Sequence, residues 1–185
     1  MAEQQSNQTS KFTNLKSLGS LELLRMHGAI LDALKENQIL RTTNNPTGDY
    51  AELLAAGWLE KQGLVKNAKD ALLKNSHKGV DVIDDKGTSY QVKGRRLTAS
   101  NPSRQLGTVR NLFENEFQYL IAIVFNEDWS INQAALIPIE ALKSIPGSKR
   151  DGVNGHVFHL NEGLLKAKDV KLITDDIQEI QRGLK

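Results

Sequence analysis

The sequence predicts an α/β or α+β domain, with a mostly sequential central sheet flanked by helices. Three observations carry this. Apolar residues recur at helical spacing in two early segments. A hairpin with a recognisable turn occupies 79–95. Residues 117–125 form an unbroken apolar, β-branched run that reads as a buried strand.

Residues 1–15 are rich in Gln, Asn, Ser and Thr and read as a loose tail, with 16–185 as a single domain. Ser20 is placed to cap a first helix. Leu23, Leu24, His27, Ile30, Leu31 and Leu34 follow at helical spacing, and the helix ends near Asn37. His27, on this apolar face, reads as a core histidine. Residues 41–46 form a loop, because the residue before Pro46 is pushed out of the helical region. A second helix covers 47–62, with Gly63 as its stop. Residues 64–76 read as a short strand and loop. After the hairpin and the 117–125 strand, a turn at 126–128 leads into an antiparallel neighbour at 131–137. Pro138 opens a short helix to Ile145. Residues 146–155, rich in Gly, Ser and Pro, form a loop, and 156–160 alternates as a strand does. The last segment holds a short helix, a strand-like 170–173 and a helix after Thr174.

Composition excludes several classes. At 185 residues the chain is long enough for one core and too short for two full domains. Aromatics are 5%, so that core is aliphatic. Cysteine is absent, which removes disulfides, thiolate nucleophiles, zinc fingers and iron–sulfur clusters and fits a reducing cytoplasm. No apolar run is long enough to span a bilayer, and residues 1–14 lack the apolar region of a secretory signal. A phosphate-loop or dinucleotide fingerprint is missing, so no nucleotide cofactor is expected. The net charge of +2 does not by itself announce nucleic acid.

The hairpin carries the chemistry. Asp85-Lys86-Gly87 suits a three-residue loop with Gly in the left-handed region, which pairs Asp84 with Thr88 and Val82 with Tyr90. Counting back, Asp81 faces Gln91, Val80 faces Val92 and Gly79 faces Lys93. Alternation then puts Val80, Val82, Tyr90 and Val92 on a core face, and Asp81, Gln91 and Lys93 together on the other. Asp81, the Gln91 amide oxygen and the Val92 carbonyl are hard oxygens suited to Mg²⁺. Lys93 is placed to orient or deprotonate a water, or to stabilise charge on a phosphate. A solvated hairpin with scattered polar residues would give the same pattern. Asp84 and Asp85 are rival acids that read as turn formers. On the preceding helix, Glu52 shares a face with Gly48, Ala55, Ala56 and Leu59. Small residues there would let the helix approach the sheet and point Glu52 inward; a Glu at the edge of that face, swinging to solvent, fits the spacing equally.

Gly-Asp-Tyr-Ala-Glu52 on a helix, then Gly-Val-Asp81 and Tyr-Gln-Val-Lys93 on a hairpin, together resemble the PD-(D/E)xK, or restriction-endonuclease-like, superfamily, and within it a branch of small uncharacterised proteins with the Gly-Asp-Tyr-Ala-Glu and Gln-Val-Lys signatures. The resemblance covers roughly residues 47–140. It implies a restriction-endonuclease-like α/β fold with a central mixed sheet of about four strands between helices, and Mg²⁺- or Mn²⁺-dependent hydrolysis of DNA phosphodiesters. It makes Asp81 a metal ligand, Gln91 a second ligand, Lys93 the catalytic lysine and Glu52 an accessory acid on or near the metal. Gln91 departs from the usual acid at its position. The loss of one negative charge leaves open a degenerate member that binds DNA, or a protein, without cutting.

From Lys86 to Phe113 there are six cations and no Asp or Glu. Arg104 and Arg110 are the expected phosphate or base contacts, with Arg95 and Arg96 beside them. Arg95 pairing with an internal carboxylate is the alternative, and so is a solvated loop that merely lacks acids. Lys149 and Arg150 sit on a second Gly-bearing loop. His156 and His159, three apart on a strand, face opposite sides and cannot chelate together. His77 precedes the hairpin near the candidate site. Trp58 and Trp129 read as packing residues. A double-strand cut would need two active sites, which makes a homodimer compatible with the reading. An interaction protein with no nucleic-acid role is the remaining class.

Overall fold

A computed structural model describes residues 15–73, 79–145, 147–150 and 154–184. The polar stretch 1–14, His77 and residues 151–153 of the expected 146–155 loop lie outside the described residues. The chain divides into two compact units, Met1–Asn44 and Asn45–Lys185.

In the first unit a 3₁₀ turn, Leu15–Ser17, precedes α1, Ser20–Glu36. Ser20 is the first helical residue, and the cap falls on Gly19. The helix hydrogen-bond ladder begins one residue early, with Leu23 N–H donating to the Gly19 carbonyl at 3.0 Å. Asn37 is the C-cap, and its side chain donates back to the Ala33 carbonyl at 2.8 Å. None of α1 is buried, and His27, expected as a core histidine, is exposed.

The second unit opens with α2, Pro46–Lys61. Pro46 is its first turn rather than the end of the loop, because the missing N–H costs nothing there. Asn45 caps it by accepting from Gly48 N–H at 3.1 Å. Gly63, at φ +67°, ends it: its N–H reaches the Glu60 carbonyl and the Leu64 N–H the Leu59 carbonyl, both at 2.9 Å. The next segment is a helix, α3 (Ala68–Leu73), where the sequence suggested strand and loop. The missed signal is the Asn67 cap, whose side chain accepts from Asp70 N–H at 3.0 Å.

The main sheet is mixed, with five strands in the order β1 (Val82–Ile83), β2 (Ser89–Arg96), β4 (Tyr119–Phe125), β5 (Ile131–Pro138) and β8 (Lys171–Leu172). Among the described strands only β2 and β4 run parallel. Their crossover contains β3 (Val109–Arg110), which joins β7 (Gly155–Val157) and β6 (Ser148–Lys149) in a separate antiparallel sheet. That small sheet was not legible as such: β6 lies where a plain loop was expected, and residues 158–160 fall outside the strand predicted for them. The helices α4 (Ile139–Ser144), α5 (Glu162–Leu165) and α6 (Thr174–Gly183) complete the unit. No helix among the described residues is long and apolar enough to cross a membrane.

Both faces of the main sheet are covered, as a partly parallel sheet requires. On one face α2 lies against β2, and Tyr50 stacks on Phe125 with centroids 5.5 Å apart. Trp129 packs into the same cluster, while Trp58 is buried and donates to Asp176 on α6 at 3.2 Å. The other face carries the aliphatic core: Leu120, Ala122 and Val124 of β4 with Ala135 and Ile137 of β5 pack against Leu106, Val109, Phe158 and Leu164.

Candidate active site

Strand β2 positions the site. Alternation sends Gln91, Lys93 and Arg95 to the face shared with β3, and Val92, Gly94 and Arg96 to the face under α2. The helix sits close there because Gly94 has no side chain: a Cβ on it would lie 2.6 Å from the Thr47 carbonyl oxygen and 2.8 Å from Ala51 Cβ. The small residues that bring α2 down are therefore Gly94 and Ala51. Gly48, assigned that job from sequence, is small for another reason, since a Cβ there would collide with the capping Asn45 side chain.

The hairpin turn forms as its residues require. Gly87 sits at φ +84°, and Asp84 and Thr88 are paired through Asp84 N–H and the Thr88 carbonyl at 2.9 Å. Asp84 is a turn former. Its carboxylate accepts from Lys86 and Thr88 N–H at 2.9 and 2.8 Å and from the Tyr90 hydroxyl at 3.1 Å. Burial first, then the Asp84 charge, push the Tyr90 phenol well above its ordinary range.

Beyond Val82 the expected register breaks. Val82 pairs with Tyr90, yet Asp81 N–H also donates to the Tyr90 carbonyl, at 2.9 Å. Two residues of the first strand thus address one of the second, and the Asp81–Gln91 pairing gives way. The Asp81 side chain fills the gap: its Oδ2 accepts from Val92 N–H at 2.6 Å. Gly79, at φ +90°, is placed so that its carbonyl accepts from Gln91 Nε2 at 3.0 Å.

Asp81, Gln91 and Lys93 nevertheless line one cleft, of about 560 Å³, with Gly79, Thr108, Arg110 and Asn111. Gln91 is 2% exposed, and its Oε1 is buried with no hydrogen-bond partner. A lone buried amide oxygen is costly unless something in the cleft satisfies it. Together with the Asp81 carboxylate it offers hard oxygens of the kind a divalent cation takes alongside retained waters. Among the described residues no three His, Cys, Asp or Glu side chains are grouped to hold a metal.

Lys93 lies against Gly107, where a Cβ would stand 3.5 Å from its Cδ. Burial pulls its ammonium below the ordinary lysine range, Asp81 and then Glu52 push it back up, and Arg110 adds to the lowering. Glu52 is buried at 9% exposure on α2 and acts on Lys93 through its charge; it is not part of the cleft wall.

The four arginines separate. Arg110 is exposed on the cleft wall. Arg95 donates to the Ser103 carbonyl at 3.0 Å, and Arg104 to the Gln133 side chain at 2.9 Å. Arg96 donates to the Glu127 carbonyl and lies 4.8 Å above the Trp129 ring. Two neighbours of the site had no sequence signal. Asn111, at φ +53°, lines the cleft, and its side chain donates to Glu116 Oε1 at 2.8 Å. Glu116 Oε2 is buried without a partner, close against Gly79. Neither is near the hairpin in sequence, so only folding brings them in.

No protein-family model matches the chain, and no curated protein matches it.

Proposed function

We propose that the cleft is the active site of a metal-dependent deoxyribonuclease of restriction-endonuclease-like fold. The observation that carries the reading is the buried, unpartnered amide oxygen of Gln91, a residue that lines the same cleft as Asp81 and the partly desolvated Lys93. Asp81 and Gln91 would hold the cation, with the Val92 carbonyl beside them and Glu52 contributing negative charge from α2. Mg²⁺ or Mn²⁺, when bound, lowers the pKa of a coordinated water and stabilises charge on the phosphate oxygens.

The residues of the chain do the rest. Gln91 is oriented by its bond to the Gly79 carbonyl, which directs Oε1 away from that carbonyl. Asp81 is held to the strand edge by Val92 N–H. Lys93, its pKa lowered by burial, takes a proton from the attacking water or donates to the phosphate. Arg110 offers a fork of donors to a phosphate at the mouth of the cleft. A DNA backbone is the partner these groups suit, and a cytoplasmic setting fits the absence of cysteine.

The test is cleavage of plasmid and short duplexes with Mg²⁺ or Mn²⁺ by wild type and Lys93→Ala. Equal activity in both would remove the mechanism. One observation favours a second reading: among the described residues of the cleft wall, Asp81 is the single carboxylate. A degenerate module that binds DNA without cutting would show salt-sensitive duplex binding and no cleavage with any metal.

A further inference from the structure

The small sheet carries a second groove, of about 300 Å³, lined by Gln105, Ser148, Lys149, Arg150, Val157 and His159. Among the described residues of that lining every ionisable group is a base, in a chain whose 24 Lys and Arg are nearly balanced by 22 Asp and Glu. Gln105 and Ser148 add neutral donors. Such a wall suits an anion with several oxygens and gives a cation or an apolar ligand little to hold.

The groove is joined to the main cleft. Arg150 Nη1 donates to Thr108 Oγ1 at 2.9 Å, and Thr108 lines the cleft that holds Asp81, Gln91 and Lys93. The joint is fixed by backbone. Arg150 N–H donates to the Gly155 carbonyl at 3.0 Å, Gly155 pairs with Arg110, and His159 bridges to Gln105. Arg110 on the cleft wall and Arg150 beside the groove are therefore carried by one three-stranded sheet, through β7.

We propose that this groove is a second phosphate subsite, which holds the backbone of the same DNA strand at a nucleotide removed from the one in the main cleft. Lys149 supplies a mobile point charge, and Arg150 supplies the part of its fork not committed to Thr108. His159 and Gln105 supply side-chain N–H donors. The inference rests on the nucleic-acid reading above and extends it. Binding energy gathered in the groove would position a phosphodiester in the cleft, and it requires a substrate longer than one nucleotide.

The test is anisotropy of a labelled duplex in EDTA, where no cleavage occurs, across a potassium chloride series. It compares wild type with Lys149→Ala, with Lys149→Ala/Arg150→Ala and with Lys149→Glu. In the double variant the slope of log affinity against log salt should fall by about one unit for each phosphate contact removed. Lys149→Glu should weaken binding further than loss of the lysine alone. A mononucleotide should compete poorly with the duplex for wild type. An unchanged slope in the double variant, while wild type binds duplex, overturns the groove and leaves the nuclease reading standing. Failure of wild type to bind any duplex at low salt overturns both. Equal competition by a mononucleotide overturns the strand-spanning role.

Discussion

Val92 N–H donates to Asp81 Oδ2 at 2.6 Å, at the point where the hairpin stops pairing as a regular ladder. A side chain here takes the place of a backbone acceptor. The slip that left Asp81 without its expected cross-strand partner also fixes its carboxylate beside the edge of β2. Gln91 is held one residue away by the Gly79 carbonyl. The two candidate ligands are thus positioned by main-chain groups, which move less than side chains on a surface.

Gln91→Glu tests the ligand assignment with a stability readout. In EDTA the new carboxylate faces the Gly79 carbonyl without the donor that Gln91 supplied, and the variant should lose about 1–3 kcal/mol. With Mn²⁺ the added charge should bring a larger rise in Tm than wild type shows, and tighter Mn²⁺ binding by calorimetry. Equal Mn²⁺ affinity in both would remove position 91 from the metal.

Lys93→Met keeps the length of the stem and removes the charge. Cleavage should fall by about 10²–10⁴-fold if Lys93 moves a proton or supports the phosphate. Duplex affinity in EDTA should change far less, because Arg110 remains. A variant that cuts as well as wild type would exclude the lysine from the chemistry.

The same residue makes a pH prediction. The folded-state pKa of Lys93 lies below its ordinary 10.5. Between the folded value and 10.5 the unfolded chain binds the extra proton, so this group makes stability rise with pH across that window. Below the folded value both states are protonated, and the cost of burying the charge is fully present. Denaturant titrations should show the difference between wild type and Lys93→Met shifting in favour of wild type as pH rises through the window. A pH-independent difference would contradict the burial of the ammonium.

Arg110→Ala and Arg96→Ala should behave differently. Arg110 stands on the cleft wall, and its loss should weaken duplex binding across sequences and reduce the salt slope by about one. Arg96 is spent on the Glu127 carbonyl and the Trp129 ring, so its loss should cost stability, about 0.5–1 kcal/mol for the ring contact, and leave the slope unchanged. Reversed results would place the DNA on the α2 face of the sheet.

Gly94→Ala checks the approach of α2. The added methyl meets the Thr47 carbonyl and Ala51, and should destabilise by about 1–3 kcal/mol through overpacking. The helix must retreat, and Glu52 with it, so cleavage should fall more than stability alone explains. A neutral substitution would show that α2 has room to spare.

Local chemistry made much of this legible from the chain alone. Asp85-Lys86-Gly87 dictates its turn because only Gly enters the left-handed region freely, and that turn aligned Val82 with Tyr90. Helical periodicity located α1 and α2, and the apolar run at 117–125 located β4. The sequence groups Asp81, Gln91 and Lys93 on one face of the hairpin, and they line one cleft. Tertiary structure alone decided the slip at Asp81, the five-stranded order, the small sheet that brings Thr108, Arg110 and Asn111 to the site, and the division of the arginines between solvent and internal partners. The physical reason is range. Turns, caps and periodicity are set within a few residues, whereas the partner of Arg96, the helix against Gly94 and the carboxylate against Gly79 arrive from 31 to 47 positions away and depend on how whole elements pack.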